Sequence, residues 1–396
     1  MSRFKRIIIK VFRFDYLVTN ISLFVTILLL GLIGFNLSVL DPFKKALTDF
    51  NFSDLIYSKF DKNQHIIDTN IVLVNIGHLN RKQIADEIRI IRKYEPKVIG
   101  FDGFFPVLKD KQTDNYLRNQ IIRDDNFVLA SYLKGYNKAI KRYDTLEKSN
   151  SFFYKASIGH VNLGGNNPKT STVRFFSPKE IIHNDTIYSL TAKLIQRYNP
   201  EAFHYLLKRN NKTEKINYIG NYSAFPFFDT WEILDSLTDL SIIKNKIVLM
   251  GYMGEEITAP NDLEDIYFTP LNDEISGRSH PDMYGVVIHA NILSMILSKK
   301  YINEMSVWLS ILISFIISYF YIILISYYSD KWLHFNLIYP VILLLANIFI
   351  IYFIFLIFKN FNYSINSAYF LAPVLMYKTF DIYYKRIVVF LKKIKK

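Results

Sequence analysis

Residues 246–251 read KIVLMG, residues 262–271 read DLEDIYFTPL, and residues 285–297 read GVVIHANILSMIL. The first is a short, β-branched, apolar run ending in glycine, the pattern of a strand covered on both faces. The second is an acidic loop. The third is an apolar helix that leads, with almost no linker, to a long uncharged stretch beginning at Ser306. Together they predict the strand and helix that close a layered α/β domain and then enter a membrane.

The uncharged stretches frame everything else. Residues 17–40, 306–328 and 335–358 carry no charged side chain over 24, 23 and 24 positions. Each exceeds the ~20 residues a helix needs to cross a bilayer. A fourth stretch, 361–377, is 17 residues long and holds Asn362, Asn366 and Pro373. Basic residues decide its status. Arg3, Lys5, Arg6, Lys10 and Arg13 precede the first stretch; Lys378, Lys385, Arg386, Lys392, Lys393, Lys395 and Lys396 follow the fourth. The positive-inside rule puts both clusters in the cytoplasm, which requires an even number of spans.

Four transmembrane helices are therefore expected, one N-terminal and three C-terminal. Residues 1–16 and 378–396 become cytoplasmic basic ends, and 41–305 an extracytoplasmic domain in the periplasm of a bacterial inner (cytoplasmic) membrane. The formal charge of +13 gathers at those ends and leaves the outer segment close to neutral. That pattern speaks for membrane lipid as a partner and against nucleic acid. The first stretch is longer than the roughly 7–15-residue core of a signal peptide, so it is expected to stay as an anchor. Cysteine is absent, which excludes a disulfide framework and thiol chemistry.

The outer segment alternates. IVLVNI (71–76) reads as a buried strand, 81–94 carries Ile84, Ile88 and Ile91 at helical spacing, and KVIGFD (97–102) follows Pro96 as a second strand. Strand, helix and strand at this spacing predict a βαβ unit with parallel strands. Further on, 116–122 is expected as a helix, 126–131 as a strand and 133–155 as an exposed polar excursion. An antiparallel hairpin, 156–163 with 172–176, is expected around the Gly164–Pro168 turn cluster. Helices at 190–198, 201–207 and 230–237 and strands at 216–219 and 247–251 complete the reading. The fold class is α/β, a mostly parallel sheet with an antiparallel appendage.

Three blocks, IVLVNI, PKVIGFDGFFP (96–106) and KIVLMG…DIYFTPL…GVVIHANILS (246–294), together resemble the CHASE sensor domain of the second type. The name stands for cyclase/histidine-kinase-associated sensory extracellular domain. The resemblance covers roughly residues 40–300, and one leading plus three trailing spans match the family's layout. Two departures stand out. Asn75 occupies a place where the first strand usually ends in an acid, and a Trp-Pro-x-Arg element is reduced to Leu79-Asn80-Arg81. Family members commonly carry a kinase or cyclase output domain, whereas this chain stops 19 residues after the fourth span, so a stand-alone form is expected.

In an open α/β sheet, ligands sit beyond the carboxyl ends of the strands. That rule gathers Asn75, Gly77, His78, Asp102, Ser131 and Gly251 at one edge. Asp102 either holds a ligand there or caps the Gly103–Phe105 turn. Glu255, Glu256, Asp262, Glu264, Asp265, Asp273, Glu274 and Asp282 make an acidic loop opposed only by Arg278. Such oxygen donors suit Ca²⁺ or Mg²⁺, but the EF-hand spacing is missing. His289 and Asn291 lie about 200° apart around a helix and cannot face one ligand.

The candidate ligand-binding residues are thus Asn75, His78, Asp102, Asp262, Asp265 and His289. The candidate coupling or structural residues are Gly251, Thr269, Pro270, Gly285 and Asn291. No metal or cofactor is expected, since no His-x-x-x-His pair, phosphate loop or Gly-x-Ser-x-Gly elbow occurs. The leading expectation is a non-enzymatic sensor that binds an unknown envelope or small-molecule ligand and signals through a separate signalling or envelope protein partner. Two alternatives stay open: a constitutive membrane scaffold, and an extracytoplasmic hydrolase using Asp102 and Asp262.

Overall fold

The computed structural model describes residues 14–36, 67–137, 139, 142–153, 157–163, 172–235, 237–257, 264–272 and 280–394. They fall into two compact units, divided between residues 52 and 53 and again between 302 and 303.

The unit between those divisions holds a seven-stranded sheet. Its strands are β1 (Ile71–Asn75), β2 (Val98–Phe101), β3 (Phe127–Asn137), β4 (Arg142–Lys148), β5 (Ser157–His160), β6 (Phe227–Phe228) and β7 (Ile247–Gly251). The order is β6-β1-β7-β2-β3, with β4 and β5 both pairing to β3, and every pair is parallel except β3–β4. Every residue of β1, β2 and β7 is buried. Helices cover both faces, so no position along these strands meets water and the sequence loses its alternation.

In chain order the helices are α1 (Phe14–Asn36), α2 (Arg81–Arg92), α3 (Lys111–Ile121), α4 (Leu190–Tyr198), α5 (Pro200–Arg209), α6 (Thr230–Leu234), α7 (Gly285–Ser298), α8 (Val307–Lys331), α9 (Phe335–Phe361) and α10 (Ala368–Ile394). Helix α2 begins with a reciprocal cap. The Asn80 side chain accepts from the Lys82 and Gln83 amides, and the Gln83 side chain accepts from the Asn80 amide. Arg81 then reaches across to Asp114 of α3 and the Val107 carbonyl, tying the two helices together.

Ile84, Ile88 and Ile91 of α2, with Leu117 and Ile121 of α3, pack on one sheet face against Val72, Val74, Ile99, Phe101, Leu129 and Val248. Each such side chain stabilises the fold by roughly 1.5–3 kcal/mol. The alternate residues turn to the opposite face, where α4 and α7 pack. Helix α7 is buried around its whole circumference from Gly285 to Ile296, as an apolar helix without a polar face must be.

Three expectations need correction. Residues 157–160 pair mainly in parallel with β3; the expected hairpin survives as a single antiparallel bridge, Leu163 to Phe176, and its turn lies outside the described residues. Residues 216–219 are not a strand: only Glu214–Lys215 pairs, with Phe175–Phe176, and Asn291 takes the hydrogen bonds of Ile219 and Gly220. The described part of the excursion at 133–155 is largely an ordered ribbon of β3 and β4, in which Tyr136 packs edge-on against Tyr143 and Lys134 pairs with Glu147.

In the other unit, three helices among the described residues are long and apolar enough to cross a membrane: Phe14–Leu32, Val307–Ser329 and Phe335–Phe361. The fourth expected span, 361–377, is split. Helix α9 runs through Phe361, Asn362 turns left-handed at φ +50°, and α10 restarts at Ala368 under an Asn366 cap. Helix α10 continues past Lys378 to Ile394, mixing apolar and basic residues.

Polar side chains bond between these helices. The Asn20 amide donates to the Phe315 carbonyl (2.9 Å) and accepts from the Ser318 hydroxyl (2.8 Å). Ser314 donates to the Tyr369 carbonyl and Ser326 meets the Tyr377 hydroxyl at 2.9 Å. Ser310, Ser314 and Ser318 are all buried, and small residues at this spacing let backbones approach closely. A short parallel pairing of Asn303–Glu304 with Tyr363–Ser364 ties the entry of α8 to the α9–α10 turn.

Candidate functional site

Parallel registry places the ends of β1, β7 and β2 side by side. Asn75 lies opposite Gly251, and the Asp102 amide donates to the Met250 carbonyl at 2.8 Å. Gly251 is required here by space. A Cβ on it would sit 2.7 Å from Val286 of α7 and 3.2 Å from the Asp102 Cβ. The missing side chain lets α7 lie directly on the strand ends.

The Asp102 carboxyl makes no hydrogen bond among the described residues; the Phe105 amide of the following turn goes instead to Ser149. Its carboxyl faces His289 of α7, with Oδ2 3.9 Å from Nε2, and the two side chains are only 11% and 4% exposed. Burial pushes the Asp102 carboxyl up to about 7. Burial pushes His289 down to about 4, opposed by the nearby Asp265 carboxylate. At this separation the pair is held close without a direct hydrogen bond.

His160, at the end of β5, completes the cluster. It is buried, and burial together with repulsion from His289 brings it down to about 3. It lies opposite Ser131 in the β3–β5 registry. Among the described residues neither ring nitrogen of His160, nor the Ser131 hydroxyl, nor His289 Nδ1 has a hydrogen-bond partner. A buried polar atom left in that state costs about 1–3 kcal/mol, so this edge is held at an energetic penalty. No hydrogen bond joins the Ser131 hydroxyl to either imidazole, and a nucleophile–base pair is not assembled.

The acidic loop contributes Asp265, in left-handed backbone at φ +56°. Its Oδ1 accepts from the Tyr267 hydroxyl at 2.9 Å, and its carbonyl accepts from the Gly285 amide at the start of α7. A Cβ on Gly285 would approach Asp265 Oδ2 to 3.0 Å, so the glycine lets this carboxylate close onto the helix start. Thr269 gives both its amide and its hydroxyl to Asp282, which anchors the buried Thr269-Pro270 corner. Burial raises the Asp282 carboxyl to about 6 against those hydrogen bonds.

Two expected ligand residues are occupied elsewhere. The Asn75 amide donates to Asp229 and the Gly254 carbonyl and accepts from Gly77 and Met253. His78 stands beside Tyr252, its Nε2 3.3 Å from the hydroxyl. Asn291, on the far side of α7 from His289, bonds to Ile219 and Gly220 rather than to a strand. Asp262 lies outside the described residues, as do Asp273, Glu274 and Arg278. Among the described residues no group of three or more His, Asp or Glu is placed to hold a metal ion.

The structure thus brings together Asp102, Asp265 and His289 and leaves Asn75 and His78 apart from them. The sequence reading missed His160, whose signal was a strand ending in Gly-His as the segment after β1 does. It also missed Glu87, which sits among Ile84, Ile88 and Ile91 on the apolar stripe of α2. Glu87 is fully buried, neither carboxylate oxygen has a partner among the described residues, and burial pushes it up to about 9.

A family model described as CHASE2 domain matches residues 23–326. Neither the curated proteins nor the solved structures contain a match to this chain.

Proposed function

The chain belongs to the CHASE2 domain family, a family of sensory extracellular domains, and on that premise we propose that it is a multi-pass membrane sensor. In this reading the α/β unit lies outside a bacterial inner membrane, in the periplasm, and responds to an envelope or small-molecule ligand. Helix α7 relays its state, and a separate partner protein in the membrane or cytoplasm gives the response. The chain itself is read as non-catalytic, in keeping with the unlinked Ser131 and His160.

We place four spans in the membrane, with α10 crossing in its first half and both termini in the cytoplasm. Hydrogen bonds from Ser314 to Tyr369 and from Ser326 to Tyr377 support this, because they seat that half of α10 against α8. The basic residues flanking α1 and ending α10 support the orientation.

One observation carries the sensor reading: the helix that closes on the Asp102–His289 pair is also the last outer element before α8, separated from it only by Lys299–Ser306. A rearrangement at the strand ends has no longer tether in which to dissipate. The test compares the full chain in nanodiscs with and without Asp102→Ala, reading amide hydrogen exchange along α8. Exchange in the first turns of α8 should change in the continuous chain. It should not change when about four glycines are inserted after Lys300, because a flexible linker cannot carry a displacement. An α8 that ignores Asp102→Ala in both chains sinks the coupling.

A further inference from the structure

A second feature of the outer unit lies away from the strand-end cluster. Lys148 at the end of β4, Ser157 at the start of β5, Thr186 and Tyr188 on the 185–188 strand, and Lys193 of α4 line a cavity of about 400 Å³. Among the described residues its lining holds two lysines, a serine, a threonine and a tyrosine, and no acidic residue. The strand carrying Thr186 and Tyr188 is one arm of a hairpin, Lys179–Ile182 with Asp185–Tyr188, that closes one side.

Lys193 is positioned rather than loose. Its Nζ lies 5.1 Å from the Tyr188 ring centroid and 3.3 Å from Gln196 Oε1. Burial, then repulsion from Arg197, lowers its affinity for its own proton. A partly desolvated cation next to a like charge is stabilised by an anion, and hydroxyl donors beside it fix the anion's oxygens. The volume falls in the range of about 300–1,000 Å³ that suits small organic ligands.

We propose that this cavity is an anion-binding site that takes the carboxylate or phosphate group of a small molecule of about sugar-acid size. The consequence for signalling rests on the sensor reading, while the binding itself does not. Helix α4 packs against α7, and Ser189, which caps α4, bridges to His160. An anion drawing Lys193 inward would therefore press on the helix that leads to the membrane and on the His160 end of β5.

The test is titration of the full chain in detergent with inorganic phosphate, D-glucuronate and, as an uncharged control, glucose, followed by calorimetry. Saturable binding of phosphate or glucuronate and none of glucose is expected, and the better of the two anions identifies the group recognised. Lys193→Gln and Lys148→Gln should each weaken it about tenfold, the loss of one charge-assisted hydrogen bond. Lys193→Arg, which keeps the charge, should retain binding and exclude a folding defect. Lys244→Gln, at an exposed surface pair with Glu95, should change nothing. The site is overturned if neither anion binds saturably, or if binding persists undiminished in both glutamine variants. Either result would leave the glycine-insertion test of α7 standing on its own.

Discussion

Around Asn75 each polar group is matched: two donors and two acceptor contacts meet Asp229, Gly254, Gly77 and Met253. At the end of β5, along the same edge of the same sheet, His160 and Ser131 are equally buried and have no partner among the described residues. The two places differ in what they hold. Asn75 and its counterpart Asn291 use neutral amides to fix backbone that has left the regular ladder. The Asp102, His160 and His289 group uses ionisable side chains kept close to neutrality by burial. Satisfied amides rigidify. Unsatisfied ionisable groups leave an edge that a small change in surroundings can shift, which is where a sensor needs its bistability.

The comparison breaks first if the amides prove dispensable. Asn291→Ala would strand the Ile219 amide and the Gly220 carbonyl, and Asn75→Ala the Met253 and Gly77 amides. Each should destabilise the α/β unit by about 3 kcal/mol in denaturant titrations of the full chain. A loss below about 1 kcal/mol would mean that these networks do not hold the edge.

The second test concerns acid. His160 and His289 have folded values of about 3 and about 4, below the ordinary 6.5. The unfolded chain then takes up protons that the folded chain refuses, so stability is present above pH 6.5 and is lost as pH falls toward those values. His160→Phe should recover about 2 kcal/mol of the stability lost between pH 6.5 and pH 4. An acid limb unchanged in this variant would remove His160 from the titrating group.

At Asp102 the sign reverses. Its folded value of about 7 lies above the ordinary 3.8, so its contribution is intact below pH 3.8 and is lost as pH rises through 7. Asp102→Asn, which cannot ionise, should flatten that decline and leave the variant more stable relative to the parent at pH 7 than at pH 4, read as melting temperature against pH. A decline that persists unaltered would assign it to another buried acid, of which Glu87 is the clearest.

Much of this was legible in the residues. The continuous apolar runs at 71–76 and 247–251 could only be strands covered on both faces, and both are. Asp102 and His289 were visible as polar residues at a strand end and on an apolar helix. Their meeting was not visible, because it depends on β7 inserting between β1 and β2 and on the room Gly251 leaves for α7. The hairpin at 156–176 was misread for a related reason. Turn residues suggest local pairing, but a strand joins whichever edge the sheet offers, and β3 offered a parallel one.

The sequence by itself determined the periodicities: which runs are apolar throughout, which stretches are long enough to cross a bilayer, and where the basic ends lie. These are local properties, set by the energy of burying each side chain. Only the tertiary structure decided which polar residues found partners. Asn75 and Asn291 did so through segments far away in the chain, whereas Asp102 and His289 came within 3.9 Å without a hydrogen bond to each other, and the His160 ring nitrogens have no hydrogen-bond partner among the described residues. Hydrogen bonding is directional and short in range, so it is fixed by the final placement of atoms from distant segments and not by the order of residues along the chain.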